Sequence, residues 1–148
     1  MSSVFNHVGL CVSDLERARR FYEELLGFEY LREINPPDDA TSKLLRLPQP
    51  VGMTACYLLR DGFTLELLHY AGEAAKPRPR RERSMNEPGL THISVSCDVD
   101  VVLSHVADYG GEVLDDTNIG AGVFIRDPDG QLIELLTMSY RASLEAGG

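Results

Sequence analysis

The run Phe5-Asn6-His7-Val8-Gly9-Leu10 returns, altered but recognisable, as Leu90-Thr91-His92-Ile93-Ser94-Val95. In both, a histidine sits early in a short apolar stretch that reads as a strand. Each is followed by a second apolar run behind an Asp-Gly turn: Asp61-Gly62-Phe63-Thr64-Leu65-Glu66-Leu67-Leu68 and Asp129-Gly130-Gln131-Leu132-Ile133-Glu134-Leu135-Leu136. A glutamate lies inside each closing run. A single strand histidine is usually a hydrogen-bonded wall residue, and a single strand glutamate usually faces water. The same pair at the same place in two halves of one chain asks for a common cause. Two imidazoles and two carboxylates suit a borderline or hard divalent cation. His7, Glu66, His92 and Glu134 are therefore the candidate ligands, with two similar modules meeting around one ion.

Working outward, the first module begins with a strand over residues 4–12. Ser13-Asp14-Leu15-Glu16 reads as a capping box with Ser13 as the N-cap. Leu15, Ala18, Tyr22 and Leu25 recur at helical spacing, broadened by Phe21 and Leu26, and Gly27 stops the helix. A strand over 28–31, a loop over 35–39 and strands over 43–47 and 53–59 are expected next. The last of these turns at Asp61-Gly62 into 63–70. The second module repeats the plan. A strand over 91–97 precedes a helix capped by Asp98 or Asp100 and ended by Gly110-Gly111. A strand from 112 to 114 follows, then one over 123–126 that turns through Asp127-Pro128-Asp129-Gly130 into 132–138. Both read strand–helix–strand–strand–strand, with the strand over 43–47 as a surplus in the first. The expectation is an α+β chain of two tandem βαβββ modules, 4–70 and 90–138, with a linker over 71–89 and a flexible tail over 139–148. His and Glu are 59 positions apart in the first module (7 to 66) and 42 in the second (92 to 134). The surplus is expected between helix and final hairpin, where insertions are tolerated.

Strand alternation aims the candidate ligands. His7, Gly9 and Cys11 share one face, opposite Val8, Leu10 and Val12. His92, Ser94 and Ser96 share a face opposite Ile93, Val95 and Cys97. The aliphatic faces belong against helices, leaving the histidine faces for a ligand cavity. Glu66 lies between Thr64 and Leu68, and Glu134 between Leu132 and Leu136. A carboxylate so flanked is costly to bury without a cation or a set of hydrogen bonds. His69 falls on the far face, and His105 on the surface of a helix. Cys11, Tyr70 and Tyr140 are read as wall or packing residues.

Composition bounds the class. The chain has 148 residues, 43% hydrophobic and 25% charged, as for an ordinary soluble globular protein. Its net charge of −9 argues against nucleic acid or an anionic membrane as partner. The exception is Lys76-Pro77-Arg78-Pro79-Arg80-Arg81-Glu82-Arg83, a local +4 that leaves −13 on the rest (−9 less +4). It reads as a Pro-stiffened linker, with contact to a substrate phosphate or carboxylate as the minor alternative. No apolar run approaches the length of a membrane span, and no secretory signal opens the chain. Three cysteines without a Cys-x-x-Cys pair point to a reduced, cytoplasmic protein.

The pattern His7-Val8-Gly9-Leu10, Asp14-Leu15-Glu16, Phe21-Tyr22, Leu26-Gly27-Phe28, then Asp129-Gly130 and Ile133-Glu134-Leu135 resembles the vicinal oxygen chelate superfamily. That superfamily includes glyoxalase I, methylmalonyl-CoA epimerase, extradiol dioxygenases and bleomycin- and fosfomycin-resistance proteins. The resemblance runs from about Val4 to Met138. It implies paired βαβββ modules with a curled mixed sheet around a metal-binding cup, often in a homodimer. It also places His7, Glu66, His92 and Glu134 on the four metal-ligand positions. One divalent ion is expected: Zn²⁺, Ni²⁺ or Co²⁺ by preference, with Mn²⁺ or Fe²⁺ admitted. A carboxylate at the second position, Glu66, is similar to the glyoxalase and epimerase members and favours a redox-neutral lyase or isomerase. The substrate would be a small molecule with adjacent oxygens, and Glu66 or Glu134 would serve as the base. Two features depart from the pattern. Cys11 and Tyr70 replace the Arg and Asn of glutathione-using members, and no glutamate is evident on the earlier strand where epimerases carry one. An extradiol-type dioxygenase and a metal-free sequestration protein are the alternative readings.

Overall fold

Exposure alternates along Val8–Cys11 (β1). Val8 and Leu10 are half-buried, while Gly9 and Cys11 are exposed on the side that the His7 imidazole shares. The computed structural model describes residues 2–75 and 84–147. The basic segment 76–83 lies outside them. Two compact units, Met1–Arg78 and Pro79–Gly148, each carry one four-stranded mixed sheet. The strand expected over 4–12 is shorter than that range, and Val4 and Phe5 are exposed ahead of it.

In the first unit, α1 (Leu15–Arg20) continues into a π-helical turn, Phe21–Leu25. Its N-cap is Asp14, whose Oδ1 accepts from the Arg17 amide at 2.9 Å; Ser13 instead accepts from the Arg17 guanidinium. A carboxylate at the +0.5 end of a helix dipole displaces the expected serine cap. The wide turn delivers both Phe21 and Tyr22 to the core, fully buried with Leu26 and close to fully buried in the case of Phe28. Each such side chain contributes about 1.5–3 kcal/mol of burial. Gly27, at φ 69°, ends the helix as expected.

Next come β2 (Glu29–Ile34), α2 (Asp38–Leu45), β3 (Met53–Arg60) and β4 (Phe63–Tyr70). The expected loop over 35–39 and strand over 43–47 are corrected here, because 38–45 is a helix. Asp38 and Asp39 occupy its first turn, and Asp38 accepts from the amides of Val51 and Gly52 at 2.9 and 3.0 Å. That long-range tie fixes where the helix starts. Removing the surplus strand leaves βαβββ with one inserted helix, and the insertion lies between helix and final hairpin as expected. The sheet order is β1-β4-β3-β2, with β1 parallel to β4 and the other pairs antiparallel.

The second unit runs β5 (His92–Cys97), α3 (Val99–His105), a 3₁₀ turn Val106–Tyr109, β6 (Glu112–Leu114), β7 (Gly122–Arg126) and β8 (Leu132–Thr137). Asp98 caps α3, and Gly110 at φ 78° ends the turn that follows. Order and directions match the first unit: β5-β8-β7-β6, with β5 parallel to β8. Residues expected to fray instead form α4 (Met138–Ala146). Thr137 caps it, and Arg141 pairs with Glu145 at 2.8 Å. In each unit the helix-facing residues form the core. Leu58, Leu65 and Leu67 are fully buried in one, and Ile125, Ile133 and Leu135 in the other.

Candidate metal centre

The carboxylates stand on the sheet faces opposite the helices, each in the middle of a row of registered residues. In the first unit Gly9 (β1), Glu66 (β4), Tyr57 (β3) and Arg32 (β2) lie side by side. In the second the row is Ser94 (β5), Glu134 (β8), Phe124 (β7) and Leu114 (β6). Registered neighbours point to the same face, so each glutamate meets what its neighbours supply.

Glu66 is 8% exposed. Its Oε1 accepts from the Tyr57 hydroxyl at 2.6 Å, and its Oε2 lies 2.9 Å from His7 Nε2. The other ring nitrogen, His7 Nδ1, meets the Asn6 side-chain oxygen at 2.5 Å. An amide oxygen only accepts, so Nδ1 carries the hydrogen, and in the neutral ring Nε2 turns its lone pair toward the carboxylate. Two electron-rich atoms at that separation need a cation between them, a proton or a metal ion. Burial first, then the hydrogen bond to Glu66, pushes the Tyr57 phenol from 10.0 up to about 12. Tyr57 therefore remains a donor throughout the neutral range.

Glu134 is looser. Its side chain is 29% exposed, Oε2 accepts from the Ser94 hydroxyl at 2.8 Å, and His92 Nε2 is 3.5 Å away. The Thr91 hydroxyl contacts His92 Nδ1 at 2.8 Å. Phe124 meets His92 edge-on at 5.3 Å, much as Tyr57 meets His7 at 5.7 Å.

Each histidine is thus paired with its glutamate inside its own unit. Among the described residues, no group of three or more His, Cys, Asp or Glu side chains is gathered in metal-holding geometry. The donor chemistry does fit a divalent ion. Ligands bonded at about 2.0–2.2 Å to one metal are separated by roughly 3.0–3.5 Å, close to both observed N···O distances. Asp38 is committed to the two backbone amides, which removes it as a base. β2 carries two glutamates. Glu33 pairs with buried Cys56 on the helix side, and Glu29 pairs with Leu59. His69 pairs with Thr54, off the Glu66 face, and His105 is exposed beside Asp108. None of the three cysteines forms a disulfide, and burial pushes the Cys56 thiol from 9.0 up to about 11. No described helix is long and apolar enough to cross a membrane.

Tyr57 and Arg32 were absent from the sequence-derived site, and Ser94 entered it only as a residue of the His92 face. Tyr57 was accessible: a two-residue turn at Asp61-Gly62 pairs Arg60 with Phe63, and counting outward puts residue 57 opposite Glu66.

Residues 4–135 match the family model of the Glyoxalase/Bleomycin resistance protein/Dioxygenase superfamily. The chain is 29% identical over 140 residues to glyoxalase I of Saccharomyces cerevisiae, covering 89% of this chain and 42% of that protein. It therefore spans less than half the length of that relative. It is 25% identical to lactoylglutathione lyase of Pseudomonas aeruginosa, over 97% of this chain and 88% of the other. Among solved structures, the trypanothione-dependent glyoxalase I of Leishmania major superposes with a TM-score of 0.70 at 24% identity, covering 99% of this chain and 95% of that one. At that identity the likeness is one of fold.

Proposed function

Because the chain belongs to the Glyoxalase/Bleomycin resistance protein/Dioxygenase superfamily, we propose that it is a divalent-metal-dependent lyase or isomerase of the glyoxalase or epimerase type. The observation that carries this reading is Glu66. A carboxylate on a leucine-flanked strand, 8% exposed, faces Nε2 of His7 at 2.9 Å, and a second unit repeats the pair. All four donors, His7, Glu66, His92 and Glu134, are assigned to one ion. The reaction is proton transfer next to a carbonyl or enediolate of a small substrate with adjacent oxygens.

When bound, the ion supplies electrophilic pull on those two oxygens, stabilising the charge that builds as the neighbouring C–H is lost. The chain's own residues do the rest. One glutamate accepts the proton and returns it to the neighbouring position. The Tyr57 hydroxyl holds Glu66 Oε1, so only Oε2 remains to face His7. Ser94 holds Glu134 by one oxygen and leaves its other to move.

The test joins metal content with solvent exchange. Protein purified without added metal or chelator should carry about one divalent ion per four-donor site. It should also exchange an acidic C–H of a hydroxy-ketone, thioester or hemithioacetal probe in D₂O. Glu66→Gln keeps an oxygen donor but removes a base, and Glu134→Gln does the same in the other unit. The variant that loses the base should retain metal yet lose turnover by about 10²–10⁴-fold. Catechol-dependent O₂ uptake with no exchange on any carbonyl probe would overturn the reading in favour of an oxygenase. Mixing inactive His7→Ala with inactive His92→Ala protein tests for a homodimer that shares sites, because activity returns only if ligands come from two copies.

A further inference from the structure

The row that holds Glu66 ends in an arginine, and a backbone irregularity puts it there. Tyr30 pairs with Leu58, but Arg32, not Leu31, pairs with Tyr57. Leu31 is the extra residue of a β-bulge. Without the bulge, Leu31 would stand opposite Tyr57 and Arg32 would fall on the helix side with Tyr30, whose ring lies under Arg19. Bulges re-aim side chains in this way beside binding sites. The Arg32 guanidinium carbon lies 5.6 Å from the Tyr57 ring centroid, so the same aromatic residue that holds Glu66 also supports this cation. Arg19, Arg60, Arg126 and Arg141 each face a carboxylate. Arg32 does not, and no described carboxylate lies in ion-pair range of it, in a chain with 23 acidic residues. The equivalent place in the second unit is Leu114, which has no charge.

We propose that Arg32 anchors an oxyanion, a carboxylate or phosphate, on the substrate whose other end is chelated beside Glu66. This deepens the function proposed above and rests on it. Guanidinium is the cation suited to the task, because its planar fork bonds both oxygens of such a group. Arg32 stands two strands from Glu66, about 10 Å between Cα atoms. The substrate is therefore an elongated anion with its charge well separated from the chelating oxygens. A compact, neutral hydroxy-ketone would leave Arg32 unused.

Full-length protein loaded with Zn²⁺ should be titrated with alkyl hydroxamates, whose adjacent oxygens chelate metals. The tails would be of graded length and end in a carboxylate, a phosphonate or the methyl ester of the carboxylate. A long-tailed anion should bind about tenfold more tightly than its ester, the value of one charge-assisted contact. Arg32→Gln should remove that preference while leaving affinity for the ester unchanged, which also shows that the fold and chelation survive. Arg32→Lys should keep part of it. The carboxylate and phosphonate arms identify which oxyanion is preferred. Equal binding of anion and ester to the wild type, or a preference that persists in Arg32→Gln, overturns the proposal. If even the ester fails to bind, the metal-chelation reading fails instead. The Arg32 Nε–H resonance, assigned by its absence in Arg32→Gln, then decides the anchor: a saturable shift with glutarate supports it, and a non-saturating one rejects it.

Discussion

Gly9–Glu66–Tyr57–Arg32 and Ser94–Glu134–Phe124–Leu114 are the same row built twice, and they treat their glutamates differently. The first row buries the carboxylate, donates a phenol to one oxygen and ends in a cation. The second leaves the carboxylate 29% exposed, donates a small hydroxyl from the other side and ends in a leucine. Duplication explains why the histidine and the glutamate repeat. It does not require the two halves to do the same work, and the changes fall on the residues flanking each glutamate. The first row is built to fix its carboxylate, and the second to let one oxygen move.

The largest expected effect tests whether both rows serve one ion. A metal that binds only the folded state at a hundredfold excess over Kd adds about 2.7 kcal/mol. For a chain of this size that is roughly 5–10 °C in Tm. Chelator should remove that increment and Zn²⁺ or Ni²⁺ restore it, as followed by thermal melts. His7→Ala and His92→Ala should each abolish most of it. A shift lost in only one variant would show that the other row holds no metal.

Next in size is Tyr57→Phe, which makes the first row resemble the second. Glu66 would lose a hydrogen bond to a charged acceptor in a buried setting, a loss of about 1.5–3 kcal/mol. Urea unfolding of chelator-treated protein reads it directly. The reverse exchange, Phe124→Tyr, adds a hydroxyl beside a carboxylate that Ser94 and water already serve, and should stay within about 0.5 kcal/mol. Equal costs in the two directions would erase the distinction between the rows.

A third difference lies one residue along from each aromatic. Cys56 and Val123 occupy equivalent places, opposite Leu67 and Leu135. Burial pushes the Cys56 thiol from 9.0 up to about 11. A group whose folded pKa is raised contributes stability below its unfolded pKa and loses it as pH climbs to the folded one. The wild type should therefore lose stability between about pH 9 and pH 11, and Cys56→Val, which carries the second unit's residue, should lose less. Parallel pH profiles for the two proteins would place the thiol outside this account.

How much of this was legible depends on whether the cause was local. The paired histidines and glutamates, the helix stop at Gly27 and the strand at Glu112–Leu114 all follow from residues within a turn or two. Tyr57, which was missed, had a local signal too, because Asp61 and Gly62 take φ of 50° and 78°, the two-residue turn that their sequence prefers. The second hairpin did not yield its register. The Asp127 amide reaches the Gln131 carbonyl, so that loop closes one residue beyond Gly130. Leu44, Leu45 and Leu47 made 43–47 look like a strand, yet Leu44 is exposed and the helix start is set by Asp38 reaching Val51 and Gly52. The bulge that aims Arg32 leaves no mark in the alternation of Glu29-Tyr30-Leu31-Arg32. Contacts made across more than ten positions decided the last two of these misses.

The smallest expected loss of a native hydrogen bond is Ser94→Ala. Ser94 Oγ donates to the same Glu134 oxygen that lies 3.5 Å from His92, so the hydroxyl both steadies that oxygen and sets its distance from the imidazole. Removing it leaves a carboxylate that water already reaches, so the desolvation penalty that makes Tyr57→Phe costly does not arise. The loss of metal-free stability should be about 0.5–1 kcal/mol. Alanine is the cleaner probe than the first row's glycine, because glycine in a strand adds a backbone cost of its own. Metal affinity should weaken by no more than about tenfold, the low end for a residue that orients a ligand. If Ser94→Ala proves as costly as Tyr57→Phe in both measurements, Glu134 is held as firmly as Glu66. The freedom assigned to its second oxygen would then have no structural basis.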